Sequence, residues 1–246
     1  SSTAQATLTT RVMASPIALP STSISPERVR APVAGVEREP VPDLAFHDRH
    51  LERSRLQFEP ALQSFLANSA ISPRAVPQVG STMRLNGAVL TGDACENPQW
   101  RDARVMAVSQ RAILVEDTTN PEGGFTPEEY AAIGDVFDDL IWDVNVSAFG
   151  EPTDIDDNER VIIFYTRAVN ELTGRNSGSY VGGLFYNRDL FARSGANSCA
   201  GSNEGEMFYM LAPDPQGEVN GNVRAKNFVL DRTFSVLSHE FQHLIN

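Results

Sequence analysis

The 246-residue chain is poor in cysteine and almost devoid of lysine: it has two cysteines, and Lys226 is its one lysine. Asp and Glu outnumber Lys and Arg by 32 to 20, for a formal net charge of −12 at pH 7. Such a chain lacks the basic footprint of a nucleic-acid-binding protein, and that class is set aside. The preference for arginine over lysine is read as base composition or surface bias, not as a site. No run approaches the ~18 consecutive apolar residues of a membrane span. The chain opens on Ser1 without a methionine, so an upstream segment such as a signal peptide is expected to have been removed or not included. Cys95 and Cys199 stand in no metal-ligand spacing. In a secreted, extracellular protein they would pair, closing a loop of about 100 residues and contributing ~4–5 kcal/mol in the chain-entropy model. The alternative is two free buried thiols.

The hydrophobic pattern divides the chain. Residues 1–70 are expected to form a disordered leader or propeptide with a helical segment. The first 43 residues are rich in Ser, Thr, Ala and Pro and lack periodicity. Leu44, Leu51, Leu56, Phe58, Leu62 and Phe65 then recur at helical spacing, interrupted by Pro60. His47 and His50 lie on this segment and are read as part of a solvated, arginine-rich helix face, since nothing else with ligand chemistry accompanies them. Pro73 and Pro77 mark a linker. Residues 79–118 carry short strand-like runs split by turns such as Asn86-Gly87 and Thr91-Gly92-Asp93, a small β-rich unit whose last strand can join the sheet that follows.

Residues 119–246 carry the rest of an α+β pattern. Thr126-Pro-Glu-Glu129 starts a helix, with Thr126 as cap, Pro127 at the first helical position and Glu129 closing a capping box. Tyr130, Ile133, Phe137, Leu140, Ile141 and Val144 continue it to about Ala148. Val161-Ile-Ile-Phe-Tyr165 is a buried strand, preceded by Asp154-Ile-Asp156-Asp157-Asn158-Glu159. The start of that acidic turn resembles a calcium loop, and Asp154, Asp156 and Asn158 are the Ca2+ ligands considered. An EF-hand is excluded, because Glu159 stands where its glycine belongs and Tyr165 where its bidentate glutamate belongs. Two strands follow, at residues 179–186 and 206–211. Pro213 and Pro215 end the second, which reads as an edge strand, with Met207, Phe208, Tyr209 and Met210 available to a peptide substrate. The last helix is expected to begin near Asn227 or at an Asp231 cap.

That helix carries His239-Glu240-Phe-Gln-His243. Residues four apart share a helix face, so both imidazoles can reach one ion, and Glu240 lies about 100° round from His239, within reach of a water there. Leu237, Phe241, Leu244 and Ile245 fall on the opposite side as an apolar stripe. This is the arrangement a metal-binding helix packed on a core requires.

Three stretches carry a family resemblance: His239-Glu-Phe-Gln-His-Leu-Ile-Asn246, Phe149-Gly-Glu-Pro-Thr-Asp-Ile-Asp156 leading into Val161-Ile-Ile-Phe, and Ser202-Asn-Glu-Gly-Glu-Met-Phe-Tyr209. Over roughly residues 79–246 the chain resembles the hyicolysin-type neutral zinc metallopeptidases of bacteria, which are zincins. The resemblance implies a zincin-like upper subdomain, in which a twisted sheet and packed helices end in the active-site helix. It implies zinc bound by His239 and His243, Glu240 as general base, and an extended peptide substrate lying along an edge strand. It also implies a third ligand, a glutamate beyond Asn246, so residues 119–246 are expected to be the first half of a catalytic domain and weakly active or inactive alone.

Two other readings compete. One is a secreted, non-catalytic adhesion or binding protein on a zincin-like scaffold, stabilised by calcium at the acidic turn. The other is a structural domain whose histidines hydrogen-bond at a helix end.

Overall fold

The computed structural model describes residues 39–66, 71–89 and 95–246. The leader expected for the first 43 residues lies, as far as Arg38, outside the described residues, as does the turn at Thr91-Gly92-Asp93. The chain from Arg38 to Asn246 is one compact unit. Its elements begin with β1 (Val41–Pro42) and helix α1 (Leu44–Leu66), then β2 (Thr82–Asn86), β3 (Trp100–Val108) and β4 (Ala112–Asp117). Helix α2 (Pro127–Val136) runs through a π-helical turn (Phe137–Trp142) into α3 (Asp143–Phe149). After β5 (Val161–Thr166) and the single turn α4 (Arg167–Asn170) come β6 (Ser179–Tyr180) and β7 (Gly183–Phe185). A 3-10 turn (Asn187–Leu190), β8 (Met207–Leu211) and helix α5 (Lys226–Ile245) complete the order.

The fold is α+β around one mixed six-stranded sheet of order β2-β3-β4-β5-β8-β7. The strands β2 to β4 are antiparallel neighbours, β4, β5 and β8 are parallel, and β7 runs back antiparallel to β8. The strands of residues 79–118 therefore share one sheet with those that follow. All six residues of β5 are buried, as an apolar run without alternation requires of a central strand. Helix α5 packs on β7 and β8, and Phe241 meets Phe137, Trp142 and Phe208 with ring centroids 5.4, 5.1 and 6.1 Å away. The π turn sits at this contact. There Asn145 Nδ2 donates to Ile141 O at 2.9 Å and to Ser238 Oγ at 3.0 Å, tying α3 to α5.

Several sequence expectations change. Strand β8 is interior, with all five residues buried between β5 and β7, so Met207, Phe208, Tyr209 and Met210 do not line an edge. The edge strand at this end of the sheet is β7, with β2 at the other; β7 is short and opened by Gly183, and the prolines after β8 end the strand without guarding an edge. Helix α5 starts at Lys226, and Asp231 lies inside it as no cap. The Thr126 capping box forms as expected, with Thr126 Oγ1 accepting from Glu129 N and Glu129 Oε2 accepting from Thr126 N. Cys95 and Cys199 form a disulfide. No helix among the described residues is long and apolar enough to cross a membrane.

Candidate metal centre

Helix α5 presents two faces. Leu237, Phe241 and Leu244 are buried in the core, while His239 and His243 point away from it, one exposed and one half-buried. Glu240 lies between these faces and is 2% exposed. It is held by the free edge of the sheet, since Phe185 N donates to Glu240 Oε2 at 2.9 Å. Burial pushes the Glu240 carboxyl up to about 8, and the Phe185 N–H pulls it back toward the ionised form.

The chain has four histidines, and three of them converge. His47, from α1, brings its Nε2 to 2.7 Å from His239 Nε2 and 3.1 Å from His243 Nε2, and the two α5 nitrogens are 3.2 Å apart. Its Nδ1 faces Glu240 Oε1 at 3.8 Å. The reading of His47 as a solvated side chain is thus corrected. His50, one turn on, is buried as well, with Nε2 2.9 Å from Phe185 O. The helix spacing in α1 was legible, but the pairing of α1 with a helix 190 residues later has no local signal. The one available clue was that this chain spends all of its few histidines on two i,i+3 and i,i+4 pairs.

The donor chemistry fits a transition-metal cation. Burial, reinforced by the neighbouring imidazoles, lowers His47 and His243 to about 4, and burial lowers His239, so all three rings are neutral near pH 7. Each neutral Nε2 is either a proton donor or a lone pair. In a triangle of three such atoms two must be alike, so at least one of the three contacts is repulsive without an ion. A cation at the centre satisfies three lone pairs at once. Four-coordinate zinc with Zn–N of ~2.0–2.1 Å would set nitrogens about 3.3 Å apart, close to two of the three spacings seen.

A second group of donors lies where the chain enters β5 and β8. Asp154, Asp156 and Glu206 each offer an oxygen, all within 4.8 Å of one another. Glu206 Oε1 accepts from Thr153 Oγ1 at 2.7 Å and Ile155 N at 3.0 Å, but its Oε2 and both oxygens of Asp156 are buried without a hydrogen-bond partner. Asn158 does lie beside them, with its N donating to Asp154 Oδ1 at 3.0 Å, while its own Oδ1 accepts from Arg160 N at 2.7 Å. Glu206 completes the group, a residue 50 positions after Asp156 that only the β5–β8 register brings near.

No family model matches the chain. Over 121 residues it is 32% identical to the neutral metalloprotease ShpI of Staphylococcus hyicus, a stretch that covers 49% of this chain and 25% of that protein. The chain therefore spans about a quarter of the relative's length. The similarity reaches metalloproteases as a class.

Proposed function

We propose that this chain carries the metal-binding and base-bearing part of a zinc-dependent endopeptidase with a zincin-like fold, working outside the cell. One observation supports this above all: two imidazoles converge from one face of α5 while the carboxylate between them is fixed by the backbone of the sheet edge. The partial likeness to a metalloprotease and the Cys95–Cys199 disulfide agree with it.

His239 and His243 hold the cation, with a glutamate of the longer protein as the further ligand. Zinc bound there supplies Lewis acidity toward water and a peptide carbonyl. Glu240 Oε1 is the oxygen left free by the Phe185 contact, and it takes the proton of the attacking water and returns it to the leaving amine. The low-dielectric wall around Glu240 strengthens that exchange. An extended peptide lies along β7, the sheet's edge on this side, with Phe185 N kept by Glu240, and main-chain hydrogen bonds orient it with little side-chain preference. The test is casein cleavage by the full-length protein with Glu240→Gln. A fall of 100-fold or more is expected for loss of a general base, with zinc content unchanged. Undiminished cleavage rules out this role.

A further inference from the structure

We propose that residues 39–47 form an intramolecular inhibitory segment in which His47 is a nitrogen ligand to the cation held by His239 and His243. The inference rests on the metallopeptidase reading and adds its regulation. The approach to His47 is an extended segment docked on β6, the strand just before the β7 edge assigned to the substrate. Strand β1 lies parallel to β6, Val41 N donates to Gly178 O at 3.1 Å, and Asp43 N donates to Tyr180 O at 2.8 Å. This is strand addition, the mode by which an extended peptide docks. Asp43 then stops the strand and starts the helix: its Oδ1 accepts from Phe46 N at 2.9 Å, and its Oδ2 accepts from Ser179 Oγ at 3.2 Å. One turn later His47 reaches the α5 pair, and His50 occupies Phe185 O, the edge acceptor next to the Glu240 contact.

The same contacts make the segment removable. Val41 and Leu44 are 61 and 70% exposed, so the start of the segment is held by backbone pairing and not by apolar burial, and Phe46 is its one side chain packed against the core. Open space remains beside it: a cavity of about 220 Å³ is walled by Phe46, His47, Gly183, His239 and Glu240, and one of about 600 Å³ by Leu51, Arg55, Phe185 and His243. With His47 on the cation a coordination position is taken, and His50 holds Phe185 O on the β7 edge. Displacing the segment frees the two together.

The test uses the 246-residue chain with zinc and with cobalt(II) as a spectroscopic substitute. His47→Ala should weaken zinc binding at least tenfold in competition with a chromophoric chelator and shift the visible bands of the cobalt form. His50→Ala, which loosens α1 without removing a ligand, should leave the cobalt bands in place. Unchanged zinc affinity and unchanged cobalt bands in His47→Ala overturn the proposal. If His239→Ala and His243→Ala also leave binding unchanged, the metallopeptidase reading fails with it. If they abolish binding while His47→Ala does not, that reading stands and the inhibitory segment alone is refuted. Circular dichroism of each variant separates lost ligation from lost folding.

A different observation carries a second site. We infer that Asp154, Asp156 and Glu206 hold a calcium ion beside β5. Asp156 and Glu206 are 0 and 2% exposed, and three of their four carboxylate oxygens have no hydrogen-bond partner. Two buried carboxylates left so are costly unless a cation joins them. Arg74 offsets only part of that charge, with its Nε 3.9 Å from Asp156 Oδ2 and its Nη2 turned to Glu204. Oxygen-only donors select a hard cation, and the wrapped backbone at Asp157 and Glu159, with φ of 54° and 58°, curls the turn around them. Gly205 leaves the space open, since a Cβ there would come 3.3 Å from Asp156 Oδ2. Calcium titrated into the chelator-treated chain should raise its melting temperature and give saturable heat by calorimetry, with half-saturation at or below ~1 mM, the range of extracellular calcium modules. Asp156→Asn and Glu206→Gln should each weaken this at least tenfold. Absence of saturable heat in the folded wild-type chain overturns the site, as does full-strength binding by both variants.

Discussion

Phe185 donates its backbone N–H to Glu240 Oε2 at 2.9 Å, joining the free edge of the sheet to the helix that carries the histidine pair. The contact fixes one carboxylate oxygen and leaves the other toward His47 and the α5 imidazoles. The position of the histidine-bearing helix is therefore set by how closely β7 and α5 approach.

Gly183 permits that approach. A Cβ there would fall 2.7 Å from Val236 Cγ1 on α5 and 2.9 Å from Tyr209 O in the neighbouring strand. The strand cannot retreat, because Gly183 is paired with Met210, so Gly183→Ala must push the helix away. A loss of ~1–3 kcal/mol is expected for overpacking of this kind, read as a lower urea midpoint at constant m. Gly174→Ala is the control, since nothing lies within 4 Å of its Cβ position. Equal midpoints for the two variants would contradict the tight approach.

The Cys95–Cys199 bridge spans 104 residues and ties the β2–β3 connection to the loop before β8. Removing it with Cys95→Ala and Cys199→Ala together should cost ~2–5 kcal/mol, the usual effect of losing a native disulfide that closes a long loop. Dithiothreitol should lower the wild-type midpoint to that of the double variant and leave the variant unmoved. A variant as stable as the oxidised wild type would show that the bridge contributes nothing.

The buried pair Arg188–Asp189 was invisible in the sequence. Arg188 is fully buried; its Nε contacts Asp189 Oδ1 at 3.1 Å, and its other nitrogens reach Ala88 O, Asn86 O and the Tyr209 hydroxyl. Tyr209 donates to Asp189 Oδ2 at 2.6 Å. Arg188→Met leaves Asp189 buried without its counter-charge, held only by Tyr209 and Asn203 N, a change expected to cost ~3–5 kcal/mol. The double variant Arg188→Met, Asp189→Asn should recover part of that loss, which a double-mutant cycle in urea measures. Additive losses would show that the two side chains do not act as a pair.

What could be read in advance follows the range of the interactions. The Thr126 box, the buried run of β5 and the two faces of α5 depend on neighbours within a few residues, and each was legible. The order of strands was not. Prolines after Leu211 suggested an edge, whereas the register of β8 between β5 and β7 comes from pairings that no local pattern encodes. The site divides in the same way. His239, Glu240 and His243 lie on one helical turn and could be placed together, but His47 joins them from 192 residues away, and Glu206 joins Asp154 and Asp156 through the sheet.

That long separation makes ion binding a measure of folding. His47 and the α5 pair meet only in the native structure, so a cation bound by them stabilises the folded chain and not the unfolded one. Zinc at about 100 times its dissociation constant should then add ~2.7 kcal/mol at 25 °C, seen as a higher urea midpoint, and a chelator should reverse the gain. His239→Ala removes a ligand from an exposed position, so it should leave the metal-free midpoint nearly unchanged and abolish the zinc-dependent rise. His47→Ala tests the α1 contribution in the same experiment: the rise at a fixed zinc concentration should shrink by ~1.4 kcal/mol for each tenfold loss of affinity. A zinc-dependent rise that survives His239→Ala would place the ion elsewhere on the chain.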